Sequence, residues 1–202
     1  VDDRPDYEEK LQWVCQNIHL GKDKLWQELI EFPSIQFGVE MAFLSLQAES
    51  TFELFPSDFT KGKDSITING LVWMGEEQFM KSQIEEKLAQ GFSCIKLKIG
   101  AIDFDKELGL LRFIRQNFDA KTIEIRVDAN GAFNSNEALS KLNQLNEFEL
   151  HSIEQPIKAN QIQEMKLLCH QTPFPIALDE ELIGVFETED KQVKLPVNVE
   201  NG

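Results

Sequence analysis

The sequence predicts an α/β fold whose larger part is a partial (β/α)8 barrel of the TIM type. From Ser65 onward, short apolar runs alternate with helical stretches, as they do in βα units that build a parallel sheet. One such unit recurs about every 25 to 30 residues without self-similarity of sequence, which favours a barrel over a solenoid. Only five strands are visible, so a doubly wound open sheet is the structural alternative.

Residues 1–64 predict helices and a linker ahead of the barrel units. Apolar positions recur at helical spacing over residues 5–31, and Gly21 interrupts them, so two short helices are expected. A third helix is expected to open at Pro33, with Phe37 on its apolar face.

Residues 65–202 are expected to hold the first five βα units of a barrel that is truncated in this chain. The predicted strands are residues 65–72, 93–99, 122–129, 151–155 and 175–180. A helical stretch lies between each successive pair of strands, as a parallel sheet requires.

Composition excludes several classes of function. The chain has 202 residues and a formal net charge of −15, without a Lys/Arg-rich run, which argues against nucleic acid or an anionic membrane as partner. No stretch has the roughly 18 to 20 consecutive apolar residues that span a bilayer. Cys15, Cys94 and Cys169 are widely spaced, so neither a disulfide framework nor a zinc site is expected. A cytoplasmic location fits this composition.

The second predicted strand carries two lysines on one face. Side chains alternate along a strand, so Lys96 and Lys98 lie opposite to Ile95 and Leu97. If the apolar side meets the helices, both lysines point into the barrel, where charge is costly unless a function requires it. The alternative is a solvent-facing edge strand whose lysines oppose aggregation.

Each of the next three strands ends in a carboxylate on the face opposite its apolar residues. Asp128 and Glu154 are 26 residues apart, and Glu154 and Asp179 are 25 apart. Active sites of βα folds lie at the C-terminal strand ends, so these carboxylates are expected to converge around a cation. An all-oxygen ligand set suits Mg²⁺, with Mn²⁺ as a possible substitute. A single carboxylate of this kind is more often a helix cap or turn residue.

This combination suits removal of a proton next to a carboxylate. A metal-bound, small-molecule carboxylate substrate can lose its α-proton because the cation stabilises the charge that develops. Lys98 is the candidate base, and it must be neutral to accept the proton. Lys96 would place a like charge two residues along the same face, which favours that neutral form.

These residues form motifs that resemble the muconate-lactonizing branch of the enolase superfamily. The motifs are Lys96-Leu97-Lys98, Val127-Asp128-Ala129-Asn130, Ile153-Glu154-Gln155-Pro156 and Leu178-Asp179-Glu180. Within that branch, the upstream segment FPSIQFGVEMA, followed by ITING, is similar to the o-succinylbenzoate synthases of menaquinone biosynthesis. The resemblance covers residues 5 to 190. It implies that residues 1–64 are part of an α+β capping domain.

The resemblance also implies roles for the candidate residues. Lys98 would be the acid/base catalyst of a syn dehydration, and Lys96 would tune it and contact the substrate carboxylate. Asp128, Glu154 and Asp179 would ligate Mg²⁺. The substrate would be 2-succinyl-6-hydroxy-2,4-cyclohexadiene-1-carboxylate, and the products 2-succinylbenzoate and water.

Two more residues are implied to lie behind the ligands. Asn130 would support the metal ligands, and Glu180 would form a structural ion pair or hydrogen bond. The family has a further lysine a little over 20 residues beyond Asp179, which this sequence does not show. Lys194 follows Asp179 by only 15 residues, too few for an intervening helix.

Two other functions are compatible with the same motifs. A dipeptide epimerase or N-acylamino-acid racemase of the superfamily would use the same Lys98 and metal ligands, with a second lysine on the opposite face. A non-catalytic protein that keeps only the metal site belongs to a different class, and the presence of Lys98 argues against it. The oligomeric state is not predicted.

Overall fold

The computed structural model of the protein describes residues 4–50 and 52–185. These residues form two compact units, which divide between Ile66 and Thr67. Within the described part of the chain, no helix is both long and apolar enough to cross a membrane. Lys194 lies outside the described residues.

The first unit is helical. Its helices are α1 (Tyr7–Asn17), α2 (Lys22–Glu28) and α3 (Pro33–Gln47). Gly21 separates α1 from α2 with a φ of 81°, a conformation that glycine adopts without a steric penalty. Pro33 occupies the first turn of α3, where its missing N–H is not needed. The two helices before Pro33 and the third after it are therefore as predicted.

The core of the first unit lies between these helices. It consists of Val14, Leu25, Leu29, Phe32, Ile35 and Val39. The predicted apolar face of α3 is wrong, because Phe37 is 63% exposed while Ile35 and Val39 are buried. Apolar residues cover most of the circumference of α3, so spacing alone did not select the buried side. Gln36, which donates to the Trp26 carbonyl oxygen at 2.9 Å, joins the buried side of α3 to α2.

The second unit consists of alternating strands and helices. The strands are β1 (Gly70–Val72), β2 (Cys94–Lys98), β3 (Glu124–Asp128), β4 (Ser152–Glu154) and β5 (Ile176–Ala177). The helices between them are α4 (Glu77–Ala89), α5 (Phe104–Asn117), α6 (Ser135–Leu145) and α7 (Ile162–Gln171). The strands are parallel and lie side by side in chain order. A sheet without a reversal of strand order is that of a partial barrel, not of a doubly wound fold.

The strands are shorter than the sequence predicted. The largest difference is at β1, which was expected to begin at Ser65 and begins at Gly70. Ile66 and Ile68 alternate like strand residues but are 64% and 67% exposed. Pairing with β2 begins only where Gly70 meets Ile95, and an alternating pattern forms a strand only where a neighbour supplies hydrogen bonds.

The core of the second unit lies between the sheet and the helices. Ile95 and Leu97 of β2 and Ile125 and Val127 of β3 are almost completely buried. Helix residues in the same core include Leu111, Ile114, Leu142 and Leu145. Full burial of a side chain of this size contributes about 1.5 to 3 kcal/mol. This burial fixes which side of each strand faces the helices, and the alternate residues point to the opposite side.

Strand β2 lies between β1 and β3, so the reading of the lysine strand as a sheet edge is wrong. Lys96 is opposite Arg126 of β3, and Lys98 is opposite Asp128. Both lysines therefore lie on the inner face of the sheet, one strand away from Asp128 and two strands away from Glu154.

Candidate active site

Polar side chains from three neighbouring strands meet at the C-terminal edge of the sheet. In the strand register, Lys98 of β2 is the partner of Asp128 of β3, and Asp128 is the partner of Glu154 of β4. The three residues therefore form a row across the sheet. Because parallel strands all end on the same side, this row lies at the edge where βα folds place their active sites.

The Lys96 ammonium lies between two carboxylates of this row. Its Nζ is 2.6 Å from Glu154 Oε2 and 3.4 Å from Asp128 Oδ2. Burial by itself lowers the pKa of Lys96, but the hydrogen bond to Glu154 and the negative charges of Asp128 and Glu154 outweigh it. The pKa of Lys96 is therefore raised above its ordinary value. Lys96 is held as a cation in this arrangement.

Lys98 is hydrogen-bonded to a carboxylate oxygen and an amide oxygen at the same edge of the sheet. Its Nζ donates to Asp128 Oδ2 at 2.9 Å and to Asn130 Oδ1 at 2.8 Å. Asp128 is 1% exposed. Burial raises the pKa of Asp128, but the hydrogen bonds from Lys98 and the Asn130 N–H, with the charge of Lys96, give a net lowering. Asp128 is therefore a buried carboxylate that stays ionised.

Asn130 connects this row to the turn after β5. It has a φ of 44°, its N–H donates to Asp128 Oδ1 at 3.1 Å, and its Nδ2 donates to Glu180 Oε1 at 2.9 Å. The other oxygen of Glu180 is buried and has no hydrogen-bond partner among the described residues. Asn130 thus links Lys98, Asp128 and Glu180, and Glu180 takes part through a hydrogen bond.

Asp179 follows β5 at the same edge, and its N–H donates to Gln155 Oε1 at 3.2 Å. Within residues 4–50 and 52–185, no group of three or more His, Cys, Asp or Glu side chains is arranged to hold a metal ion. The structure thus joins Asp128 and Glu154 through Lys96, and it does not show the predicted convergence with Asp179. The assignment of all three as metal ligands stays a prediction.

The donor atoms nevertheless fit Mg²⁺ in their chemistry. Asp128 and Glu154 are neighbouring carboxylates that already share a cation, the Lys96 ammonium. A hard divalent cation prefers such oxygen ligands. Asn130 joins to this set the carboxylate of Glu180, whose Oε2 is buried and has no hydrogen-bond partner within the described part of the chain.

Trp73 is a site residue that the sequence reasoning missed. It follows β1 directly and is 57% exposed, and its ring centre lies 5.9 Å from Lys98 Nζ. Gln83 of α4 holds its backbone, accepting from the Trp73 N–H at 3.1 Å and donating to its carbonyl at 3.0 Å. Its position just past a strand end is the signal that could have identified Trp73.

Glu107 is a second missed residue, and it supports the loop after Lys98. It is buried on α5, and its Oε1 accepts from the Gly100 N–H at 2.6 Å. Burial raises the pKa of this carboxyl, although backbone N–H groups of the loop act in the opposite direction. Nothing in the sequence distinguishes a buried glutamate of an amphipathic helix from a solvent-exposed glutamate.

Comparison with known proteins identifies relatives of the chain. The model of the enolase C-terminal domain-like family matches residues 80–190. An o-succinylbenzoate synthase of Desulfotalea psychrophila is 56% identical over 154 residues, which are 76% of this chain and 42% of that protein. An L-Ala-D/L-Glu epimerase of Francisella tularensis subsp. novicida is 32% identical over 111 residues, which are 54% of this chain and 30% of that protein.

A solved structure is also similar to this chain. The crystal structure of MenC from Desulfotalea psychrophila superimposes with a TM-score of 0.75 at 47% identity, covering 96% of this chain and 52% of that one. The chain therefore spans about half the length of the two Desulfotalea proteins and less than a third of the Francisella epimerase.

Proposed function

Because the chain belongs to the enolase C-terminal domain-like family, we propose that the protein acts as an o-succinylbenzoate synthase that uses Mg²⁺. The reaction is the syn dehydration of 2-succinyl-6-hydroxy-2,4-cyclohexadiene-1-carboxylate to 2-succinylbenzoate, in menaquinone biosynthesis. The observation that carries the proposal is the row of Lys98, Asp128 and Glu154, in a chain 56% identical to an o-succinylbenzoate synthase over 154 residues.

Lys98 supplies the proton transfers. In its neutral form, Nζ takes the proton from the ring carbon that bears the carboxylate, and the C–H electron pair delocalises into that carboxylate before it forms the ring double bond. The bond between the neighbouring carbon and its hydroxyl breaks, and the proton on Lys98 passes to the hydroxyl to give water. One base serves both steps, so the proton and the hydroxyl leave from the same face. The ring becomes aromatic, which provides much of the driving force.

The carboxylates and Lys96 support this step through charge. Asp128, Glu154 and Asp179 are the residues that would hold the metal. A bound Mg²⁺ would stabilise the negative charge that develops on the substrate carboxylate as the α-proton leaves. Lys96 would contact the same carboxylate. Asn130 would fix the positions of Lys98 and Asp128 relative to each other through its hydrogen bonds to both residues.

Epimerisation of a dipeptide is the second candidate function. The observation that favours it is the 32% identity to the Francisella epimerase over 111 residues. This reaction begins with the same removal of an α-proton by Lys98, but a second base must return a proton from the opposite face. The two functions therefore differ in the group that faces Lys98 across the substrate.

The test is the ultraviolet absorbance of the cyclohexadiene substrate after the protein is added with Mg²⁺. We expect the diene absorbance to fall, the fall to stop on addition of a chelator, and activity to return with excess Mg²⁺. If the diene is unchanged while the folded protein binds Mg²⁺ and epimerises L-Ala-L-Glu, the synthase proposal is wrong and the epimerase function replaces it.

A further inference from the structure

Gln155 is the most completely buried polar side chain at the C-terminal edge of the sheet. It follows Glu154 directly, is 0% exposed and has a φ of 39°. A left-handed conformation is uncommon for a residue with a side chain, and it persists where surrounding contacts define it. The contacts of Gln155 therefore have to account for both its burial and its backbone conformation.

Both the oxygen and the nitrogen of the Gln155 carboxamide form hydrogen bonds. Its Oε1 accepts from the backbone N–H groups of Asp179 and Glu181, each at 3.2 Å. Its Nε2 donates to the carbonyl oxygen of Ile157 at 3.0 Å. One side chain thus ties the turn after β5 to the segment after β4.

The backbone of Gln155 extends the same connection to the turn after β3. Its N–H donates to the Ala177 carbonyl at 3.0 Å, and its carbonyl accepts from the Gly131 N–H at 2.7 Å. Gly131 belongs to the turn that follows Asp128. Gln155 therefore contacts the chain beside each of the three carboxylates: it adjoins Glu154, holds the N–H of Asp179 and binds the turn after Asp128.

Asp179 depends on this connection more than the other two carboxylates do. Asp128 and Glu154 are the last residues of paired strands, so the sheet fixes their backbone. Strand β5 contains only Ile176 and Ala177, and Asp179 lies beyond its end. The Gln155 carboxamide is a side-chain contact that holds the Asp179 backbone at this edge.

We infer that Gln155 is a positioning residue that sets Asp179 alongside Asp128 and Glu154 for binding a divalent cation, an inference that rests on the proposed function. The amide is needed because two backbone N–H groups require an acceptor and one backbone carbonyl requires a donor. A glutamate here keeps the acceptor but places a second oxygen against the Ile157 carbonyl, and a methionine removes all three hydrogen bonds.

The test measures the affinity of the protein for Mn²⁺ alone, from the electron paramagnetic resonance signal of the free ion, without substrate. We expect Gln155→Met to raise the Kd for Mn²⁺ by about tenfold or more. Gln155→Glu is expected to raise it as well, even though its added negative charge would by itself tighten cation binding. Gln144→Met and Gln144→Glu, at an exposed position of α6, are the matched controls and should leave the Kd unchanged.

A double-mutant cycle with Asp179→Asn separates positioning from a general loss of structure. If Gln155 acts through Asp179, adding Gln155→Met to Asp179→Asn changes the Kd little further. If Gln155→Met raises the Kd for Mn²⁺ by the same factor in Asp179→Asn as in wild type, the inference is overturned. An unchanged affinity for Mn²⁺ in folded Gln155 variants would overturn it as well. Circular dichroism checks folding, and Gln155→Glu carries the test if Gln155→Met does not fold. A wild-type protein that binds no Mn²⁺ would overturn the metal site of the proposed function and this inference with it.

Discussion

Lys98 Nζ lies 2.9 Å from Asp128 Oδ2, and the two residues are partners on neighbouring parallel strands. The same carboxylate oxygen is 3.4 Å from Lys96 Nζ. One buried carboxylate thus serves two ammonium groups. Replacing Asp128 affects both lysines, whereas replacing Lys98 leaves Asp128 paired with Lys96, so substitutions at the two positions have different consequences.

Lys98→Ala should remove turnover and leave metal binding intact. We expect the rate of diene loss to fall by a factor of about 10³ or more, because general acid and base catalysis contributes about 10² to 10⁴ and here one group does both. Mn²⁺ binding should persist, since Lys98 is not a proposed ligand. Lys106→Ala, at an exposed position of α5, is the control. Turnover retained in Lys98→Ala would rule out the proposed base.

Asp128→Asn should lower the free energy of unfolding by about 2 kcal/mol at pH 6, because it removes a charged partner of two lysines. The folded-state pKa of Asp128 lies below the ordinary 3.8. The ionised carboxylate therefore stabilises the fold at pH values above the ordinary pKa of 3.8. This stabilisation is lost as the pH falls through the folded-state pKa. Urea unfolding of metal-free wild type and variant at pH 6 and pH 3 should show a smaller difference at pH 3. A difference that grows at pH 3 would contradict the lowered pKa.

Arg115→Ala should destabilise the second unit by about 2 kcal/mol. The guanidinium donates to the carbonyl oxygens of Phe148 and Ile123, each at 2.7 Å, and the Glu149 carbonyl at 3.2 Å. Arg115→Lys cannot form the same fork and should lie between the alanine variant and wild type.

Arg112→Ala is the control for this prediction, because Arg112 is exposed on the same helix and its guanidinium only lies 5.8 Å above the Phe148 ring. Chemical denaturation measures all three variants. Equal stability losses at positions 112 and 115 would show that the carbonyl contacts do not matter.

The three cysteines should differ in their reaction with a thiol reagent. Cys15 is exposed, whereas Cys94 and Cys169 are buried. Burial raises the pKa of Cys94 to about 11, with a further contribution from Glu124, and raises that of Cys169 to about 11. Few of the buried thiols are thiolates at pH 8, so one equivalent should react rapidly with Ellman's reagent in the native protein and three after unfolding. Rapid reaction of all three thiols in the native protein would contradict the burial of Cys94 and Cys169.

The strands of the second unit were predictable because their burial pattern is local. Ile95 and Leu97 on one side and Lys96 and Lys98 on the other assign the two faces of β2 without knowledge of any neighbour. The beginning of β1 was not predictable, because the alternation from Ser65 runs over residues that pair with no strand among the described residues. The exposed Phe37 has a similar cause, since only the packing of α3 on α2 selects which apolar residues are buried.

The candidate site was partly predictable for the same reason. The strand-end positions of Asp128 and Glu154 follow from the alternation, and the structure places both beside Lys96. The contacts of Gln155 and Glu107 join residues 24 and 7 positions apart through hydrogen bonds to backbone atoms. The periodicity of the sequence cannot reveal such bonds. Every residue except proline has the same backbone N–H, so the residue type does not show which N–H a side chain binds.

The loops that follow β2 and β3 touch at Gly100 and Ala132. A Cβ added to Gly100, whose φ is 92°, would lie 2.3 Å from the Cβ of Ala132. A Cβ added to Gly131 would likewise lie 2.9 Å from Cα of Lys158, in the loop after β4. A loop grafted from a relative should therefore fail sterically where it puts a side chain at position 100 or 131, unless the adjoining loop is exchanged with it.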